Sequence, residues 1–194
     1  GIDLTHQPEF TMMEFYEAYG RFHQLQQYAE ALLVFVDTQL HFSLNNSFAL
    51  PYYLKWRDER PFTFDQFAEV TMEQAVKKAF EKLHMTVDLD NPVYGDNCIS
   101  FEYPSTEFIT ARRSKIDINQ LVNYFNKTKS RGERVALFFE YLAEPFLAED
   151  YRTADGSKSL PVFVTEYPVE ICPLARPCSY NPLVCDRYEL FIEG

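Results

Sequence analysis

Glu14 and Tyr16, in the opening stretch GIDLTHQPEFTMMEFYEAYG, have the types and spacing to hold a cation. Spaced i, i+2, they share one face of an extended strand with Met12 and Ala18, while Thr11, Met13, Phe15, Glu17 and Tyr19 take the other. A carboxylate flanked by Met12 and Tyr16 is expected to be partly buried, and a buried carboxylate needs a cation or hydrogen-bond donors. Three arrangements meet that need or avoid it: an internal salt bridge to Arg or Lys, a solvated face with no partner, or an ammonium group that arrives with a ligand. In the last, Glu14 supplies the charge and Tyr16 the hydroxyl. Thr5, His6 and Phe10 precede the strand in a loop, where an aromatic ring and a histidine could stack a base and contact phosphates.

The elements that must position these residues are legible in outline. The alternation over 11–19 predicts a strand. Phe22, Leu25, Ala29, Leu32, Leu33, Val36 and Leu40 recur at helical spacing and predict a helix over 21–40 with that stripe buried. Asn45-Asn46-Ser47 marks a loop. RPFTFDQFAEVTMEQAVKKAFEKL reads as an extended piece and then a helix, with Thr71 and Gln74 as a capping box. The pattern weakens over 83–130, which reads as an inserted subdomain or long excursion with a short helix over 116–125. A helix over 131–148 follows. Then come an apolar strand over 161–167, fit for the centre of a sheet, and a strand over 187–192. In the latter Tyr188, Leu190 and Ile192 oppose Arg187, Glu189 and Phe191. The fold class is α+β: a largely antiparallel sheet flanked by helices, with one excursion.

Composition narrows the function classes. The 194 residues are 46% hydrophobic and 24% charged, with 18 Phe and 13 Tyr, which suits one sizeable folded domain. Eighteen basic residues against 29 acidic give a net charge of −11, which argues against a broad nucleic-acid surface on this segment. The longest apolar run, ALLVFV, is too short to span a bilayer, and no leader pattern precedes it. Four cysteines without a CxxC pair or histidine partners read as reduced thiols in a cytoplasmic protein.

Three long stretches then resemble one family in order. GIDLTHQPEFTMMEFYEAYG is similar to the second signature motif of class II aminoacyl-tRNA synthetases, and within them of the lysyl-tRNA synthetases. PVFVTEYPVEICPLAR resembles the strand and Pro-Leu-Ala-Arg turn of the same family, and DRYELFIEG its late strand. The resemblance implies that Phe10 stacks on the adenine of ATP and that Thr5 and His6 lie toward the triphosphate. Glu14 and Tyr16 would hold the lysine ammonium, and Glu189 would be a ligand of catalytic magnesium (Mg2+). It implies ATP and lysine as substrates, tRNA as acceptor, a homodimeric parent enzyme and no membrane. The family's motif arginines have no counterpart inside this chain, and with only 6 glycines no internal substitute for the Gly-rich third motif exists. The chain is therefore expected to be a partial catalytic domain over 1–194, inactive by itself, whose opening glycine falls within the second motif. A paralogue that lysylates an elongation factor, or a non-catalytic interaction module, are the alternatives. An aspartyl or asparaginyl enzyme would need a cation where Glu14 and Tyr16 sit.

Overall fold

The computed structural model describes residues 9–45, 47–90, 100–101 and 115–193. Thr5 and His6 lie outside the described residues. The architecture is mixed α+β, a three-stranded sheet with helices on its faces.

Strands β1 (Ala68–Thr71), β4 (Val162–Pro168) and β5 (Val184–Phe191) form the sheet in the order β1-β4-β5. As its apolar run predicts, β4 is central: it pairs in parallel with β1, Ala68 opposite Val162, and antiparallel with β5, Val164 opposite Glu189. The sheet is thus mixed. Two short strands, β2 (Met85–Thr86) and β3 (Ser100–Phe101), make a separate antiparallel ribbon.

Helix α3 (Met72–Leu83) begins with the capping box read from sequence. Thr71 Oγ1 accepts from the Gln74 amide at 3.1 Å, and Gln74 Oε1 accepts from the Thr71 amide at 3.1 Å. It ends at His84 in the left-handed region, φ 50°. Helix α4 (Ile118–Phe125) is capped by Asp117 and α5 (Arg131–Phe138) by Ser130. The single helix expected over 131–148 is instead a helical run that changes pitch. A π turn spans Phe139–Ala143, a 3-10 turn spans Glu144–Phe146, and α6 covers Leu147–Asp150. Pro145 lies in the 3-10 turn; it has no amide to donate, so an α-helical ladder cannot pass through it unbroken.

One core fills the space between these helices and one sheet face. Val76, Leu83, Leu121, Phe125, Phe138, Leu142 and Phe146 meet Val162 and Val164 there, all at or near zero exposure. The other face carries Phe163, Thr165 and Tyr188 toward α1 (Phe22–Ser43): the Tyr188 hydroxyl donates to the Leu25 carbonyl at 2.9 Å, and Phe22 packs on the Tyr188 ring.

Helix α1 has the predicted period but a shifted face. Leu32, Val36 and Leu40, expected inside, are exposed, and the two buried positions are polar: Gln26 and Asp37. The reason is that α1 is anchored by polar contacts that hydropathy does not register. Gln26 donates to Glu69 at 2.7 Å, and Asp37 takes a bidentate pair from Arg60 at 2.8 and 3.1 Å. Helix α2 (Leu50–Glu59), with Pro51 in its first turn, occupies a stretch for which the sequence predicts no element; it buries only Tyr53, whose hydroxyl donates to the Asp37 carbonyl at 2.7 Å.

The strand expected over 11–19 is absent. Residues 10–17 carry no regular secondary structure, followed by a turn in which Tyr19 has φ 62°. A strand holds its shape through ladder bonds, and among the described residues no strand pairs with this segment.

Candidate functional site

Glu14 and Tyr16 do come together. The Tyr16 hydroxyl donates to Glu14 Oε2 at 3.4 Å, although the backbone is not that of a ladder strand. Of the three arrangements open from sequence, no internal salt bridge to Glu14 forms among the described residues, and the side chains of both residues are open to solvent. Phe10, 77% exposed, presents a bare ring face nearby in sequence. The segment is moored to α1 through Glu17, which accepts from the Tyr28 hydroxyl at 3.2 Å; that bond, together with the Glu17 charge, pushes the Tyr28 phenol above its ordinary range.

Glu189 sits elsewhere. On β5 it follows Tyr188, whose ring faces α1, so the Glu189 side chain takes the opposite face with Cys185, Arg187 and Phe191. Arg187 is its partner: Nη2 donates to Glu189 Oε1, Nη1 donates to Cys172 Sγ at 3.0 Å, and the guanidinium lies 4.6 Å from the centre of the Tyr167 ring. Burial pushes the Tyr167 phenol well above its ordinary range, against the lowering influence of Arg187. Among the described residues no hydrogen bond or ion pair joins Glu189 to Glu14 or Tyr16. The structure therefore presents the sequence-derived residues as two groups: Phe10, Glu14 and Tyr16 on the α1 side, and Glu189 beside Arg187.

A third group was not singled out in the sequence. At the end of the sheet a polar cleft is lined by His23, Glu69, Thr71, Glu166, Tyr180 and Asp186, among others. Glu166 occupies the β-bulge between Thr165 and Tyr167 with φ 56°, a conformation costly for a residue with a Cβ, and accepts from the Tyr180 hydroxyl at 2.9 Å. That bond is the main reason the Tyr180 phenol is raised. The only hint in sequence is a glutamate inside an otherwise apolar strand, TEYP.

Chemically, Glu14 and Tyr16 offer an anionic and a neutral oxygen to one cation. Both are solvated, and an exposed ion pair contributes only ~0.2–1 kcal/mol. Millimolar affinity requires about 4 kcal/mol, so these two side chains need enclosure and further contacts before they retain an amine. As for a metal, Glu189 supplies one hard oxygen but shares it with a guanidinium. Among the described residues no three His, Cys, Asp or Glu side chains gather as ligands. The donors present do not by themselves make a magnesium centre. Among the described residues, too, no helix is long and apolar enough to cross a membrane.

Comparison with known proteins gives this geometry a context. The chain matches the family described as tRNA synthetases class II (D, K and N) over residues 1–194. The lysine–tRNA ligase of Enterobacter sp. (strain 638) is 33% identical over 195 aligned residues, covering 100% of this chain and 31% of the relative. The heat-inducible lysine–tRNA ligase of Escherichia coli (strain K12) is 31% identical over 195 residues, with the same coverage. That of Actinobacillus succinogenes is 32% identical over 196. The chain spans about a third of the length of these curated relatives. With the family matched from first residue to last, and the α+β sheet and helices in agreement, the chain belongs to the class II tRNA synthetases of the D, K and N group.

Proposed function

We propose that this chain is the part of a lysine–tRNA ligase that supplies the amino-acid side-chain contacts and the adenine shelf. Glu14 and Tyr16 hold the ε-ammonium of lysine, Phe10 stacks on the adenine of ATP, and Thr5 and His6 lie toward its phosphates. In the reaction, the lysine carboxylate attacks the α-phosphate of ATP, giving lysyl-adenylate and releasing pyrophosphate. The terminal ribose of tRNA then takes the lysyl group and AMP leaves. Glu189 is the one residue of the chain proposed for magnesium, and its carboxylate must first leave Arg187. One carboxylate shared with a guanidinium does not by itself hold the ion. The whole protein is proposed to act as a homodimer in the cytoplasm, away from membranes.

The observation that carries this reading is the Tyr16–Glu14 contact, found in a chain whose relatives are named for lysine. An acidic, uncharged-hydroxyl pair selects a cationic side chain and rejects an anionic one, since like charges a few ångströms apart are strongly unfavourable. The test is ATP–pyrophosphate exchange by the complete protein. Exchange is expected with lysine and not with aspartate or asparagine. Glu14→Gln should lower kcat/KM for lysine about 100-fold, roughly 2.7 kcal/mol, by removing the charge and keeping the shape. Exchange driven by aspartate, or a Glu14→Gln variant as active as the parent, would overturn the reading. The 194-residue chain alone is proposed to show no exchange, consistent with two solvated groups that cannot retain lysine by themselves.

A further inference from the structure

Helix α1 inverts the usual arrangement of a surface helix. Over its 22 residues it carries no Lys or Arg and only two acids, Glu30 and Asp37, and helical spacing puts both on the inner side with Gln26. The outer side holds Tyr28, Leu32, Phe35 and Phe42, all exposed, Phe35 at 59% and Phe42 at 63%. A solvated helix ordinarily turns its charges outward and its apolar stripe inward. In a chain that is 24% charged, an outer strip of three aromatic rings and a leucine is a surface built to be covered.

The chemistry of the strip decides what covers it. A helix that lies on a lipid surface sets Lys and Arg along its polar side, and α1 has neither. A charged partner finds nothing to pair with, because no carboxylate, amine or imidazole of α1 lies on the strip. An uncharged aromatic face is what fits, and a second copy of the chain brings that face with it. Two chains of net charge −11 repel, and along this strip they can touch without setting like charges side by side.

We propose that the outer strip of α1 is an interaction surface for a second copy of this chain, in an antiparallel helix pair centred on Phe35. The spacing is self-complementary. Tyr28, Phe35 and Phe42 recur at the seven-residue interval of a coiled-coil seam, with Leu32 and Gln39 between them. About a twofold axis at Phe35, Tyr28 of each copy meets Phe42 of the other, Phe35 meets Phe35, and Leu32 lies against Thr38 and Gln39. Such an isologous contact closes on itself as a dimer. Glu17, which accepts from the Tyr28 hydroxyl at 3.2 Å, marks one end of the seam. Antiparallel order sets the two copies of Glu17 about 21 Å apart along the helices, whereas parallel order would bring them together. The three rings each expose about 100 Å2. With Leu32, Val36 and Leu40 beside them, the pair would cover on the order of 1,000 Å2, the low end for a specific interface. The seam is a property of these residues whichever amino acid the complete enzyme activates, so it stands apart from the lysine reading.

Sedimentation equilibrium of the 194-residue chain tests the pair. From about 1 to about 200 µM the chain should pass reversibly from monomer to dimer, with a Kd of about 10 µM and no larger species. Phe35→Glu sets two carboxylates against each other on the axis and should weaken the pair about 100-fold. Phe35 is exposed, so this variant should keep the urea midpoint of the parent monomer. Phe35→Lys alone should be as weak, but an equimolar mixture of the two variants should recover a mixed dimer, which a folding defect could not produce. Tyr28→Cys and Phe42→Cys chains, mixed under mild oxidation, should cross-link to each other in preference to themselves, as antiparallel order requires. A chain that stays monomeric, whether free or captured by phosphatidylserine vesicles, would overturn the proposal. So would association that Phe35→Glu leaves intact, a mixture that does not recover, or cross-links of Tyr28→Cys chiefly to itself.

Discussion

Arg60 shows how much one side chain can organise here. Its guanidinium makes both bonds to Asp37, and its carbon lies 5.1, 4.9 and 4.9 Å from the ring centres of Trp56, Phe62 and Phe64. Its Nε finds no hydrogen-bond acceptor among the described residues and lies among those rings instead. Burial pushes the Asp37 carboxyl up, but the hydrogen bonds and charge of Arg60, with Tyr53 and Arg57, outweigh it and hold the carboxyl below its ordinary range. Deleting one partner of a buried pair strands the other charge, which costs about 3–5 kcal/mol. Arg60→Met is therefore expected to cost about 3 kcal/mol in urea unfolding, the low end because Arg57 Nε stands 3.4 Å from Asp37 and can partly replace it. Adding Asp37→Leu should return part of that loss, which a double-mutant cycle would register as favourable coupling between the wild-type residues.

At the scale of elements, what the sequence makes legible tracks how each element is held. The β4 run VFVTEYP is buried on both faces and announces itself as a central strand; Thr71 and Gln74 announce the start of α3 because a cap is a local chemical pattern. Helix α2 buries one side chain, so no stripe marks it, and the face of α1 is set by Asp37 and Gln26, whose partners lie on distant elements. The same divide runs through the candidate site. Glu14 and Tyr16 are two residues apart and meet as expected, while the strand proposed to align them depends on a ladder partner that the described residues do not contain. Arg187, the partner of Glu189, and Tyr180, the partner of Glu166, emerge only from folding. The end of α3 offers a test of local rules. His84 is exposed and holds a left-handed conformation that glycine adopts without a Cβ penalty. His84→Gly should stabilise the chain by about 0.5–1 kcal/mol, raising Tm by roughly 1–4 °C in a calorimetric scan.

For the molecule as a whole, the response to acid follows from its carboxylates. Glu73 is drawn from an ordinary 4.5 to about 2, chiefly by the Arg131 hydrogen bond and against the opposing effect of burial, with Lys77 adding to the fall. Asp37 is shifted in the same direction. A carboxyl whose folded value is depressed contributes stability that is fully present above its unfolded value and lost as pH falls through the folded one. Stability should accordingly be flat down to about pH 5 and fall toward pH 2, and Arg131→Met should make that fall shallower by removing the link to Glu73. The parallel pairing of β1 with β4 bears on time rather than strength. Val70 and Thr165, which meet across it, are 95 residues apart in the chain. The loop entropy for closing so long a stretch must be met before any ladder bond forms. The sheet can be completed only once α3 to α6 have brought β1 and β4 together, so the helical layer is the scaffold on which the strands are assembled, and β5 pairs along β4 while its Tyr188 ties the sheet to α1.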